Sequence, residues 1–103
     1  MLKWEKAKFT VKLKPDEVPN EKTVVGRKSG KFAVHKSVGA RDWTITHIPT
    51  GLKLTDRGTR DDCVHLVETL SRKIYGFTYM SRERLAQNSQ RISEVITQNV
   101  TAD

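Results

Sequence analysis

The stretch WTITHIPTGLKL, residues 43–54, decides the fold because it places two short strands around a turn. Apolar and polar residues alternate through its first half, as they do in a strand with one buried face. Pro49 cannot donate a hydrogen bond to a sheet and therefore belongs in the turn, over residues 49–51. The stretch predicts an antiparallel pair of strands, over residues 42–48 and 52–55.

The clearest single strand comes earlier, over residues 4–14, and ends at Pro15. Its alternation is strict, so one face is apolar and the other is polar and rich in lysine. The apolar face holds Ala7, Phe9, Val11 and Leu13, and the polar face holds Lys6, Lys8, Thr10, Lys12 and Lys14.

Residues 15–30 contain two prolines and two glycines with balanced charge, which predicts a loop with at most a short strand at 23–25. A further strand is expected over residues 31–38. A tight turn at Gly39 joins it to the strand at 42–48, because glycine takes positive φ without strain. The sheet is therefore expected to be antiparallel, with three or four strands.

A helix is predicted over residues 60–75, with Thr59 as its N-cap and Gly76 just past its end. Acidic side chains in its first turn suit the helix dipole. Its apolar positions recur at helical spacing and form one face, which should cover the sheet. They are Cys63, Leu66, Val67, Leu70 and Ile74.

A second helix is predicted over residues 82–98, capped by Ser81, and residues 99–103 should be frayed. Its apolar face is thin, so it should lie at the periphery, complete its burial in a homodimer, or fold on a partner. The predicted fold is thus α+β in one domain, residues 1–103. A three- to four-stranded antiparallel sheet is packed by one amphipathic helix and followed by a second, more peripheral helix.

The positive charge of the chain lies in its first part. The formal net charge is +7, from 19 Lys and Arg against 12 Asp and Glu. Residues 1–60 carry +8 (14 basic against 6 acidic side chains) and residues 61–103 carry −1 (5 against 6). A basic sheet beside nearly neutral helices indicates an anionic partner.

The expected binding surface is the sheet face opposite the helix. If the hairpin between the strands at 31–38 and 42–48 centres between Ala40 and Arg41, Val34 faces His47 and Lys36 faces Ile45 on the helix side. The opposite face then shows small polar side chains with a basic edge, although an ordinary exposed sheet face has a similar composition. The expected anion-binding residues are Lys6, Lys8, Lys12, Lys14, Arg27, Lys28, Lys31, His35, Thr44, Thr46 and Lys53.

Segment 30–70, GKFAVHKSVGARDWTITHIPTGLKLTDRGTRDDCVHLVETL, resembles in layout the DNA-binding domains of the integrase amino-terminal type, in which a three-stranded sheet packs on one helix. The resemblance covers the order and spacing of the elements. The arginine- and tryptophan-rich sheet face of those domains is missing here, and Thr44 and Thr46 stand in its place. The resemblance therefore implies an architecture and transfers no functional residue.

No catalytic, cofactor or metal site is expected. The three histidines do not converge, since His35 and His47 fall on opposite faces of the hairpin. Cys63 sits in a first helical turn, where the dipole lowers a thiol pKa, but it lies on the apolar stripe, where cysteine behaves as a small buried residue. The segment GRKSGK, residues 26–31, lacks the spacing and the following helix of a phosphate-binding loop. It is expected to be a surface loop.

The sequence contains no membrane-length apolar run and no secretory signal, and its lone cysteine suits a reducing compartment, so a cytoplasmic location is expected. The first hypothesis for function is a non-catalytic module that binds nucleic acid, DNA more than RNA, or a nucleoprotein. The alternative is an accessory protein of the phage or mobile-element type, an inhibitor or adaptor that binds an acidic protein surface or a nucleotide signal. A possible partner or homodimer helix over 82–98 would use Arg82, Arg84 and Arg91.

Overall fold

The computed structural model describes residues 2–13, 16, 18 and 20–101, and it has an α+β fold with a five-stranded antiparallel sheet. The strands follow one another in sequence order, so each pairs with its neighbours in the chain. The α+β class is confirmed, and the sheet has more strands than the three or four expected. The elements are β1 Glu5–Lys12, β2 Glu21–Ser29, β3 Phe32–Lys36, β4 Trp43–His47, β5 Leu52–Arg57, α1 Arg60–Lys73, a 3-10 turn Phe77–Tyr79, α2 Arg82–Gln87 and α3 Ser89–Thr101.

Helix α1 packs against β3, β4 and β5 on what is called here the outer face of the sheet. Phe32, Val34 and Ile45 point from the sheet into this contact and are fully buried with the apolar stripe of α1. Burying a side chain of this size stabilises the fold by about 1.5–3 kcal/mol. Thr59 caps α1 as predicted, since its hydroxyl accepts a hydrogen bond of 3.1 Å from the backbone N–H of Asp62.

The sheet curls around its other face, here called the inner face, until its first strand meets the turn before its last. The backbone N–H of Lys12 at the end of β1 donates to the carbonyl of Gly51, at 2.9 Å. A second, smaller core of Phe9, Val11 and Ala33 fills part of the space that the curl encloses. The two faces of β3 and β4 are therefore both buried.

The second strand is the largest departure from the sequence prediction. Residues 21–29 of the expected loop form β2, which pairs with all eight residues of β1. The sequence pattern does not predict the full length of β2, because most of its side chains are exposed and Gly26 interrupts the run. Gly26 is required by the curl: a Cβ there would meet the carbonyl oxygen of Val34 and lie 2.9 Å from the Cβ of His35.

The pairing of β3 with β4 is shifted by two residues from the predicted register. Phe32 faces His47 and Val34 faces Ile45, where Val34 was expected to face His47. Side chains alternate with period two, so this shift exchanges partners without exchanging faces. Val34 and Ile45 accordingly face α1 as predicted.

The predicted helix over 82–98 is two helices, separated at Asn88. The Asn88 side-chain amide donates to the carbonyl of Arg84, at 2.8 Å, and so caps the end of α2. Ser81 caps the start of α2 as predicted, by accepting from the Arg84 N–H. The tail was expected to fray from residue 99, yet α3 continues to Thr101. In the part of the chain described, no helix is both long and apolar enough to cross a membrane.

Candidate nucleic-acid interface and inner cavity

The outer face of β1 and β2 carries a row of exposed basic side chains. In the pairing of β1 with β2, Lys6 lies opposite Arg27, Lys8 lies opposite Val25, and Lys12 lies opposite Glu21. All of these residues are exposed. The name basic ribbon is used below for Lys6, Lys8, Lys12 and Arg27.

The basic ribbon is exposed because of where α1 packs. The helix covers β3, β4 and β5, so the outer face of the first two strands remains open. The strand repeat places Lys6 and Lys8 about 6.7 Å apart along β1. That separation is close to two steps of the roughly 3.4 Å axial spacing between phosphates on one DNA strand.

A cleft of about 520 Å³ continues from the end of the ribbon and brings together three residues predicted from separate parts of the sequence. Lys12, Lys31 and Arg82 line this cationic cleft, with Glu83 as its acidic member. The turn that holds Lys31 is fixed by its backbone N–H, which donates to the Thr78 carbonyl at 2.6 Å.

Other predicted residues do not join this surface. Lys28 is half-buried and pairs with Ala33, on the inner side of the sheet. Arg84 and Arg91 are exposed on different helices rather than on one helical face, and Arg91 donates to the carbonyl of Lys73, at 2.8 Å. Lys14 lies outside the described residues.

The expected exposure of the small polar face is wrong. His35, Thr44 and Thr46 are only 2%, 6% and 1% exposed. The curl of the sheet brings β1 over them, and the ring of Phe9 lies against that of His35 with 5.4 Å between ring centres. Lys53, also on this side, has an exposed side chain at the rim of the enclosed space.

Buried polar groups need hydrogen-bond partners, and the inner face supplies them from its own side chains. His35 Nδ1 lies 2.8 Å from the Lys36 carbonyl, so it carries the proton and donates. Its Nε2 therefore accepts in the neutral ring, and the Thr46 hydroxyl donates to it at 2.7 Å. Burial lowers the pKa of His35 despite the Lys36 hydrogen bond and the nearby Asp56, which favours this neutral form.

A second chain of hydrogen bonds runs from β3 to β5. The Thr44 hydroxyl donates to Asp56 Oδ1 at 2.6 Å, so the Ser37 hydroxyl donates to Thr44. Lys53 forms a salt bridge with the other Asp56 oxygen at 2.9 Å. Burial alone would raise the pKa of Asp56, but the hydrogen bonds from Lys53 and Thr44 outweigh it and hold this pKa below its usual value.

These groups line a cavity of about 490 Å³, called here the inner cavity. Sequence reasoning missed two of its residues, Asp42 and Asp56. Asp42 Oδ1 is buried and has no hydrogen-bond partner among the residues that the structure describes. Residues three apart in a regular strand point to opposite faces, so the spacing of Lys53 and Asp56 gave no signal for their ion pair, which depends on the irregular pairing of β4 with β5. Nothing in the local sequence around Asp42 indicates that it borders a cavity.

Cys63 and the grouping of possible metal ligands complete the description of the reactive side chains. Burial raises the pKa of the Cys63 thiol to about 11, which outweighs the opposing effects of the Arg57 charge and backbone and keeps the thiol protonated at neutral pH. Across the described ranges, no three His, Cys, Asp or Glu side chains are grouped closely enough to hold a metal ion. Comparison with protein-family models, with curated proteins and with solved structures finds no match to this chain.

Proposed function

We propose that this protein is a non-catalytic module that binds duplex nucleic acid, DNA in preference to RNA, through the basic ribbon and the cationic cleft. The observation that carries the proposal is the exposed row of Lys6, Lys8, Lys12 and Arg27, which the helices leave open. Contacts from lysine and arginine to phosphates supply most of the sequence-independent affinity for nucleic acid.

The shape of this surface favours DNA. A two-stranded antiparallel ribbon fits the major groove of B-form DNA, whereas the major groove of A-form RNA is too deep and narrow for side chains to read. Thr10 and Thr23 face each other between the ends of the ribbon and add hydroxyl groups that can contact phosphates.

The test is the salt dependence of duplex binding for a triple variant, Lys6→Gln, Lys8→Gln and Arg27→Gln. Each lost phosphate contact lowers the slope of log K against log salt by about 0.9, so the triple variant should lose about 2.7 from its slope. Binding is measured by fluorescence anisotropy between about 50 and 200 mM salt, the range in which phosphate contacts change affinity steeply.

The matched control removes the same charge elsewhere. Arg72→Gln, Lys73→Gln and Arg84→Gln replace three exposed basic residues of α1 and α2. The control should keep the wild-type slope to within about one contact. Equal slopes for the two triple variants would show that the ribbon does not contact the phosphates and would overturn the proposal.

A second candidate is an inhibitor or adaptor that binds an acidic protein surface, and one observation favours it. Val25 is 54% exposed in the middle of the ribbon, where an apolar side chain suits a protein interface better than a phosphate backbone. Absence of duplex binding at low ionic strength, together with recovery of one stoichiometric protein from nuclease-treated lysate, would support this candidate over the first.

A further inference from the structure

We propose that the inner cavity binds an unpaired nucleotide whose base carries an exocyclic amino group, as adenine, cytosine and guanine do, with the phosphate at Lys12. This goes beyond the proposed function, because a base within a duplex is stacked and paired and cannot enter the cavity. The argument rests on the hydrogen-bonding groups of the cavity, on its charge and on its connection to the cationic cleft.

The cavity presents acceptors, because its hydroxyl protons are already used. Thr46 donates to His35, Ser37 donates to Thr44, and Thr44 donates to Asp56. The oxygens of Thr46 and Ser37 keep free lone pairs, and Asp42 Oδ1 has no partner among the described residues. A buried carboxylate oxygen without a partner is costly, so a ligand that donates an N–H to it gains the most.

The charge of the cavity favours a neutral donor over a cation. Lys12 and Lys53 balance Asp42 and Asp56, and His35 is neutral. A nucleobase is a neutral group with apolar faces and a donor edge. Apolar side chains are available for its faces on the cavity wall, from Val11, Leu13 and Leu52. The volume of about 490 Å³ lies within the ordinary range for small-ligand pockets.

The inner cavity and the cationic cleft adjoin each other. Lys12 and Leu52 line both, so Lys12 stands between a neutral, acceptor-lined space and a basic one. A nucleotide matches this division, with its base on one side of Lys12 and its phosphate beside the ammonium group and Lys31. The same division distinguishes a nucleotide from an uncharged amine or from inorganic phosphate.

The first experiment compares adenosine monophosphate with inosine monophosphate, by titration of the ¹⁵N-labelled protein followed by NMR. The two purines have the same shape, but inosine has a carbonyl oxygen where adenosine has the amino group. Inosine keeps an N1–H donor beside that carbonyl, so the comparison tests whether the donor stands at the exocyclic position. Where the amino group donates to Asp42, inosine monophosphate places an oxygen against the carboxylate and should bind at least about tenfold more weakly. The shifts should centre on Asp42 and Thr46. Equal affinities, or shifts confined to surface lysines, would overturn the proposal.

The second experiment replaces the acceptor. Asp42→Asn supplies an amide that donates to the inosine oxygen, so the preference for adenosine should disappear or invert. Asp61→Asn, at an exposed position in the first turn of α1, is the matched control and should keep the wild-type preference. Asp42→Asn should fold, because asparagine has nearly the size and shape of the half-buried aspartate, and thermal unfolding checks this. A folded variant with the wild-type preference would contradict the assignment of Asp42.

A third experiment compares single-stranded oligoadenylate with oligoinosinate. It distinguishes an unpaired base within a strand from a free nucleotide as the ligand. Preference for oligoadenylate that exceeds the preference seen with mononucleotides indicates an unpaired base in a strand, whereas preference with mononucleotides alone indicates a free nucleotide. The outcome is independent of the duplex test. Lys6, Lys8 and Arg27 do not line the cavity, so their triple variant should keep the adenosine preference even where duplex binding is lost.

Discussion

Replacing Gly26 by alanine should test the curl of the sheet directly. The new Cβ would overlap the carbonyl oxygen of Val34 and lie 2.9 Å from the Cβ of His35, closer than ordinary packing allows. Neither atom is at the end of a flexible side chain, so β2 and β3 would have to separate. Overpacking of this kind costs about 1–3 kcal/mol, and the lower entropy of unfolded alanine offsets about 0.4–1 kcal/mol of it.

A net loss of about 1.3 kcal/mol should therefore appear in urea unfolding, with a Tm about 5 °C lower at roughly 4 °C per kcal/mol for a chain of this length. Gly58→Ala is the control, because no described heavy atom lies within 4 Å of its Cβ, and it should gain about 0.4–1 kcal/mol. If Gly26→Ala were as stable as Gly58→Ala, β2 would not approach β3 and His35 as described.

Two further predictions concern buried titratable groups. Because the folded pKa of His35 is lowered, the folded state binds fewer protons than the unfolded state below about pH 6.5, so stability should fall as the pH drops toward 5, by at most about 1.4 kcal/mol per pH unit. His35→Gln should flatten this dependence in denaturant unfolding, and an unchanged slope would contradict the neutral assignment. Cys63, with its pKa raised to about 11, should resist alkylation by iodoacetamide at pH 8 until urea unfolds the chain, as followed by mass spectrometry. Rapid labelling of the folded protein would contradict its burial.

Much of the fold follows from local periodicity. The alternation over residues 4–14 predicts β1, which spans Glu5–Lys12, and the spacing from Cys63 to Leu70 predicts α1 and the surface it covers. Period and capping are local properties, so the sequence displays them directly. Of β2, only a short strand at 23–25 was predicted, because most of its residues follow no alternation of apolar and polar side chains. Gly26 interrupts the run and allows close contact with another strand.

For the candidate site too, local periodicity predicts one part and leaves another part unpredicted. The alternation in β1 predicts that Lys6, Lys8 and Lys12 share one strand face, and they do so. The expectation that this face lies opposite the helix is wrong, because the pairs Lys6–Arg27 and Arg27–Val34 place the basic ribbon on the outer face, where α1 packs. The inner face was not predictable, because alternating polar residues suit an exposed surface and a hydrogen-bonded interior equally well. Only the pairing of β4 with β5, with its irregularity between Ile45 and Thr46, places Asp56 opposite Thr44 and completes the polar chain.

The polarity of the inner face has a consequence for native-state motion. Detaching β1 from the rest of the sheet uncovers His35, Thr44 and Thr46, whose polar groups water can solvate, as well as a small apolar cluster. Opening on that side therefore costs less free energy than separating α1 from β3 and β4, where the uncovered surface is apolar. Amide hydrogens of β1 should accordingly exchange with solvent sooner than those of β3 and β4. The protein then admits a locally open state, in which the cavity is accessible while the helical side of the fold stays intact.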